Sequence, residues 1–534
     1  MRVGEVFVET ACPMTLRGRS TAIAGTNPFG NLFDTPCKRK MPGATVRGAG
    51  RMEEIMDNLN LTTLQRGQTM VNDVAMDAFA AGFRGSLLTS KDMDYNEART
   101  IWNAMIDRRP GLIARCAGAA DVVRAVRFAR DNDLLVSVRG GGHGIAGNAV
   151  CEGGVVIDLS PMKSVRVDIE TRRARVEPGA TLGDVDKETL AFGLVLPTGI
   201  NSTTGIAGLT LGGGFGWLTR KFGLTLDNLI SVDVVTADGE LVKASETERP
   251  DLFWALRGGG GNFGVVTSFE FQLNPLHPEV FAGLVVHPFA DAERVLREYR
   301  QALEAAPDEL TCWVVMRQAP PLPFLPAEWH GKEVVVLAMC YCGNVAAGEK
   351  AAARLRGIGK PIADIVGPMP FVGWQQAFDP LLTPGARNYW KSQDFASLSD
   401  AAIGLLLDAV RGLPGPECEI FIGHVGGAAG RVPTEATAFP QRSSHFVMNV
   451  HARWRETGMD AGCIGWAREL FEATKPHAVG TAYINFMPED EIDRVEMAYG
   501  ANYARLSEIK LRYDPNNLFR MNQNVKPMAA ERAA

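Results

Sequence analysis

The segment Arg139-Gly140-Gly141-Gly142-His143-Gly144-Ile145-Ala146-Gly147 decides how the rest of the chain is read. It lies between two apolar runs, residues 134–138 and 155–157. Three consecutive glycines carry no β-carbon, so backbone N–H groups there can close on a phosphate. The spacing G-x-G-x-x-G is present at Gly142, Gly144 and Gly147. A dinucleotide-binding turn of that spacing opens a helix whose N-terminus takes the pyrophosphate. Here residues 148–154 and the β-branched run after them predict loop and strand, which excludes a Rossmann turn.

Two more glycine-dense blocks follow. Residues 197–216 contain Asn201-Ser202-Thr203-Thr204-Gly205 and Gly212-Gly213-Gly214-Phe215-Gly216. Small residues and hydroxyls at this density make a poor core; they suit a backbone lying against a ligand. The third block, Arg257-Gly258-Gly259-Gly260-Gly261-Asn262-Phe263-Gly264, also leads into a strand-like run, residues 265–273. Three such blocks in strand-rich surroundings predict one extended ligand across the ends of several strands.

The R-G-G-G-H of residues 139–143, the G-G-G-F-G of 212–216 and the closing Asn522-Gln523-Asn524 carry a family resemblance. Over about residues 75–527 the chain resembles the berberine-bridge-enzyme-like branch of the vanillyl-alcohol oxidase and p-cresol methylhydroxylase flavoproteins. The resemblance implies an α+β fold with two domains. One is an FAD-binding domain of the p-cresol methylhydroxylase type; the other is a substrate domain with a helix-backed antiparallel sheet. It further implies that His143 is bonded through its ring to the 8α-methyl of FAD, tethering the cofactor and raising its potential. Arg139, Gly140, Gly141, Gly142, Gly144 and Gly147 would shape that loop. Thr203, Thr204, Gly205 and Gly208 would contact the phosphates and ribityl chain. Gly264, Val265 and Val266 would flank the isoalloxazine, and Asn522 and Asn524 would close the site. Gly212–Gly216 serve either the ligand or tight packing. Many members attach the flavin a second time through a cysteine. Asn201 stands at that position here and Cys151 lies outside the motif, so a single covalent bond is expected. Ile206 falls near a position gating oxygen, which leaves oxidase and dehydrogenase both open.

The implied activity is removal of hydride from a carbinol, hemiacetal or amine carbon of a small organic substrate to flavin N5. Reoxidation would be by O2 or another acceptor. Such a reaction needs a proton acceptor within reach. Relatives use a tyrosine from the motif Y-x-N-Y; here the stretch is Tyr483-Ile484-Asn485-Phe486, without the last phenol. Read as a strand, it puts Tyr483 on the opposite face from Phe486. Tyr483 and Tyr389 are the catalytic candidates, with His424 and His451 behind them. Tyr389 and Lys391 would share one face of a strand. Two other readings stay open: a nicotinamide-dependent flavin reductase, and a flavin-binding protein with little turnover.

The remaining sequence sets the frame. The 534 residues exceed one simple domain, and 46% hydrophobic with 22% charged residues is globular composition. A net charge of −6 without a basic block points away from nucleic acid. No run of 18 apolar residues occurs, so no membrane span is expected, and with no signal-peptide layout the cytoplasm is the default. Nine scattered cysteines without C-x-x-C predict reduced thiols, and eight histidines without ligand spacing predict no metal site. The motifs G-x-S-x-G, H-E-x-x-H and G-x-x-x-x-G-K are absent. The expected plan is an irregular extension over 1–70, an FAD-binding domain over 71–275, a substrate domain over 276–485 and a C-terminal return over 486–534. Within it Asp121 is expected to cap a helix with Val122, Val126 and Ala129 on one face, and residues 164–177 and 231–244 predict hairpins, the second turning at Asp238-Gly239. Thr181 and Asp184 predict a capping box for a helix ended by Gly193, and residues 491–513 predict a helix interrupted at Gly500. Met70 or Met76 would serve equally as a start.

Overall fold

The computed structural model describes residues 58–529, so the expected extension lies outside it up to residue 57. Its last part departs from expectation. Leu59–Thr62 and Gln68–Val71 pair as an antiparallel hairpin, because Leu61 and Val71 have an apolar cluster to bury against.

The chain then builds a four-stranded sheet in the order Ser86–Leu88, Leu112–Arg115, Val155–Asp158, Val136–Arg139, whose last three strands are parallel. The helix Ala119–Asp131 crosses between them and buries the expected stripe Val122, Val126 and Ala129, with Ala125 beside it. Asp121 was expected to cap it. The helix begins after Gly118 instead, and Asp121 accepts the N–H groups of Arg84, Gly85 and Ala117 from inside the first turn.

A second, five-stranded sheet is antiparallel throughout. It contains both expected hairpins, Val165–Asp168 with Arg173–Val176 and Leu229–Val235 with Leu241–Ser245. The helix Leu182–Leu190 starts on the anticipated capping box of Thr181 and Asp184 and is followed by Gly193 at φ +66°.

The second domain is an eight-stranded antiparallel sheet. Strand alternation divides it. Val314, Ile420, Ile422, Met448 and Val450 face the helices Ala292–Leu303, Asp400–Arg411 and Asp460–Thr474 in one large core. Trp313, Glu419, Phe421, Asn449 and His451 face the other way and line a cavity. The fold is thus the expected α+β architecture with a helix-backed sheet. We propose domain boundaries near residues 275 and 485, before the sheet's first strand at Glu279 and after the covering helix Asp460–Thr474.

The tail returns to the glycine-rich domain through Val495–Tyr499 and Tyr503–Tyr513, broken at Gly500 with φ +52°. Fully buried Lys510 ties it down, donating to Asp514 and to the Asn262 carbonyl, each at 2.6 Å. Among the described residues no helix is long and apolar enough to cross a membrane, and no group of three or more His, Cys, Asp or Glu is placed to hold a metal.

Candidate functional site

The three glycine blocks, spread over residues 139–264, converge on one cavity of about 360 Å³, a typical size for a small-molecule site. Gly141 and Gly205 meet backbone to backbone: a β-carbon on either would fall 2.5 Å from the other's nitrogen. Gly264 has φ +149°, and a β-carbon there would lie 2.6 Å from the Val235 carbonyl oxygen. Glycine is required at all three. A β-carbon on Gly144 or Gly208 would meet nothing within 4 Å, so these two border open space.

Gly140, Gly141, Gly142, His143, Gly144, Thr204, Gly205, Gly208, Gly264, Val265, Val266, Asn522 and Tyr483 line the cavity, as expected from the sequence. Four expected residues do not line it. Arg139 turns its guanidinium to the Ala98 carbonyl. Gly147, at φ +71°, bends the loop against Ile106. Asn524 buries an unpartnered amide oxygen. Thr203 approaches His143 instead, with Oγ1 3.3 Å from Nε2.

His143 is half-buried in the wall, and the Trp102 ring stacks on it at 4.5 Å. Burial pushes its pKa down to about 4, and Arg453 adds to the effect. At neutral pH the imidazole therefore keeps a free lone pair.

Several expectations are corrected. Tyr389 is not in the cavity. It and Lys391 do share a face, but it is the helix side, because their neighbour Trp390 takes the cavity side. Tyr389 donates to Asp490 at 2.6 Å and accepts from Arg468 at 2.9 Å, while Lys391 pairs with Glu491 at 2.8 Å. Tyr483 and Phe486 are not on opposite faces. Ile484–Phe486 is a 3-10 turn, which brings the two rings to 4.9 Å. His424 lies under Arg220 with its Nε2 3.1 Å from that guanidinium, and burial with Arg220 drives its pKa down to about 2. Ile206 is fully buried in the core behind the site, so it gates nothing in the cavity. Gly214 and Gly216 serve packing: β-carbons there would strike Thr225 and the Thr198 carbonyl.

Tyr483 is buried, and burial raises its phenol to about 12. Its oxygen accepts the Gly214 N–H and the Asn485 amide, both at 3.0 Å. On the sheet side, burial works against the Glu419 carboxylate, but Arg317 at 2.7 Å and His451 at 3.2 Å outweigh it and hold its pKa at about 2. Trp102, Trp390, Asn449, Glu419 and Gln523 were not anticipated. The one available signal was polar residues at alternate positions (Asn449, His451, Arg453) of an otherwise apolar strand, which fits a face turned to a ligand.

Residues 110–245 match the family model "FAD binding domain", and residues 482–526 match "Berberine and berberine like". An FAD-linked oxidoreductase of Dictyostelium discoideum is 32% identical over 461 residues, covering 85% of this chain and 97% of its own. (R)-6-hydroxynicotine oxidase of Paenarthrobacter nicotinovorans is 32% identical over 465 residues, covering 83% and 97%. The crystal structure of 6-hydroxy-D-nicotine oxidase from Arthrobacter nicotinovorans superposes with a TM-score of 0.75 at 29% identity, over 83% of this chain and 98% of that one. With its glycine-lined cavity and relatives matched along nearly their whole length, the chain belongs to the berberine-bridge-like family and is an FAD-dependent oxidoreductase.

Proposed function

We propose that the cavity holds FAD through a single bond to His143, and that the enzyme oxidises a carbinol, hemiacetal or amine carbon of a small organic substrate. When bound, FAD supplies the hydride acceptor and passes the electrons on to O2 or another acceptor. That relatives are named oxidases favours O2. The residues to hold it are the glycines of the His143 loop with Thr204, Gly205 and Gly208, then Gly264, Val265, Val266 and Asn522. The open space at Gly144 and Gly208 fits a ligand passing close to the backbone.

His143 suits its role because a neutral imidazole is a nucleophile. Trp102 stacks on one face of the ring and Thr203 engages Nε2, which together fix the ring's orientation. Tyr483 and Tyr499 both line the cavity; Tyr483 is the one whose oxygen accepts two donors, which stabilise the phenolate it must become to accept a proton. Glu419 is too acidic to hold a proton at neutral pH and acts as a fixed acceptor.

The convergence of three glycine blocks on His143 is the observation that carries this reading. Acid precipitation of the protein and of His143→Ala tests it. Flavin absorbance should stay with the wild-type pellet and leave the variant's. Flavin in the wild-type supernatant would cancel the covalent bond, and purified protein without flavin would cancel the assignment of the cavity. Rapid bleaching by NADPH alone would move the reading to a nicotinamide-dependent reductase.

A further inference from the structure

We infer that residues 375–382 of the substrate domain clasp both neighbours of His143, which makes Asp379 a positioning residue for flavin attachment. The inference rests on the flavin reading above and adds a residue outside the cavity lining. Two side chains meet the His143 ring. Trp102 covers its face at 4.5 Å, and Thr203 Oγ1 stands at its edge, 3.3 Å from Nε2. Both lead to the same segment. Trp102 donates its indole N–H to the Leu382 carbonyl at 2.9 Å. Asn201 Nδ2 lies 3.5 Å from that same oxygen, while Asn201 Oδ1 accepts the Thr203 N–H at 3.0 Å and its O–H at 2.6 Å. One carbonyl thus serves the face and the edge of the imidazole together.

Asp379 holds the residue between Asn201 and Thr203. Its two carboxylate oxygens accept the Ser202 N–H, at 2.9 Å, and the Ser202 hydroxyl. Hydrogen bonds to a carboxylate are stronger than those to a neutral acceptor, and two of them fix Ser202 in both position and direction. Buried Gln375 extends the grip to the start of the loop. Its Nε2 donates to Thr198 Oγ1 at 2.9 Å and to the Gly199 carbonyl at 2.8 Å. The clasp has its own footing, since the rings of Trp374 and Phe378 pack on Trp217 at 4.9 Å and 5.9 Å. Trp217 directly follows the second glycine block, so clasp and loop share one support.

Attachment depends on this placement. His143 bonds the 8α-carbon and gives up its N–H proton, while one C–H bond of the methyl group breaks. The electron pair enters the isoalloxazine with both protons, and O2 carries the two electrons and two protons away as hydrogen peroxide. Such a bond forms only between atoms held near contact, and a displacement of about 1 Å can cost about 10²-fold in rate. Without Asp379 the glycine blocks still bind FAD, but Thr203 is released from the ring edge and the bond forms slowly.

The test compares the full-length wild type with Asp379→Ala, Asp379→Asn and Ser202→Ala, each purified from riboflavin-limited cells and then incubated with FAD in air. Absorbance after gel filtration gives the total bound flavin, and absorbance kept by the acid pellet gives the bonded part. Asp379→Ala should slow the appearance of acid-stable flavin about tenfold or more, while total bound flavin falls by less. Asp379→Asn should restore most of the rate, because its amide oxygen accepts the Ser202 N–H and its NH2 donates to the hydroxyl. Ser202→Ala keeps one of the two bonds and should fall between; it decides the matter if Asp379→Ala does not fold. Equal rates in all four proteins would overturn the inference. So would total and acid-stable flavin lost in equal proportion, or no recovery in Asp379→Asn. A wild type without acid-stable flavin overturns the covalent reading and this inference together, whereas full attachment in every variant removes this inference alone.

Discussion

At the scale of single residues, the proposed chemistry is tested at Tyr483 and Trp102. Tyr483 is held protonated by burial up to about pH 12, so a reaction that uses it as base speeds up as pH rises and shows no plateau below that value. Tyr483→Phe should lower kcat/KM by about 10²-fold, within the usual range for a lost acid or base, and flatten this alkaline rise. An unchanged pH profile in the variant would hand the proton to another group. Trp102 acts through His143. With the stacked ring gone, Trp102→Ala should lower the fraction of flavin that survives acid precipitation. Trp102→Phe, which keeps an aromatic face, should restore most of it. Equal covalent fractions in all three proteins would remove Trp102 from flavin attachment.

At the scale of elements, residues 102–104 tie the cofactor loop to the substrate sheet. Trp102 donates its backbone N–H to the Gly142 carbonyl and its indole N–H to Leu382, and Ala104 donates to Ala386. Asn103, buried between them, donates to the Ile145 and Asn388 carbonyls and accepts the N–H groups of Asn388 and Met105. Asn103 thus bridges the His143 loop and the Trp390 strand with a single side chain. Asn103→Ala leaves buried backbone groups unpaired and should cost about 1–3 kcal/mol in urea unfolding. It should also slow flavin reduction more than it weakens substrate binding, because spacing rather than contact is lost. A variant of wild-type stability and reduction rate would show the strap to be passive.

Two sets of buried charges bear on the whole molecule. Lys510 and Asp514 fasten the C-terminal helix and, through Asn262, the third glycine block. Lys510→Met leaves Asp514 buried without its cation and should destabilise by about 3–5 kcal/mol in denaturant unfolding. Asp186 works through pH. Burial raises its carboxyl to about 7 from 3.8 in the fully buried position behind the Thr198–Gly199 wall. A raised acid contributes stability that is complete below its unfolded pKa of 3.8 and is lost as pH rises through about 7. Asp186→Asn does not titrate. Its stability relative to wild type should therefore rise by on the order of 4 kcal/mol between about pH 4 and 8. Urea midpoints across that range decide it; a pH-independent difference would mean that Asp186 is ionised in the fold.

Sequence alone determined what depends on backbone chemistry and short spacing. Runs such as residues 140–142 and 258–261 announce close-approach turns because glycine carries no β-carbon, and at Gly141, Gly258 and Gly259 a β-carbon would indeed strike backbone at 2.4–2.5 Å. The Thr181–Asp184 cap, the Asp238-Gly239 hairpin and the halt at Gly500 follow from interactions within four residues of one another. Period-2 alternation correctly put Tyr389 and Lys391 on a common face, but it has no sign: which face meets the cavity is set by the helices that cover the other one. Alternation also assumed a strand at residues 483–486, where docking of the tail made a 3-10 turn and brought Tyr483 onto the side of Phe486. Trp102 stacked on His143, and Glu419 beside His451, join positions 41 and 32 residues apart. Contacts of that kind depend on sheet register and domain packing. The glycine blocks could therefore be found in the sequence, while the residues that surround the substrate were fixed only by the folded sheet.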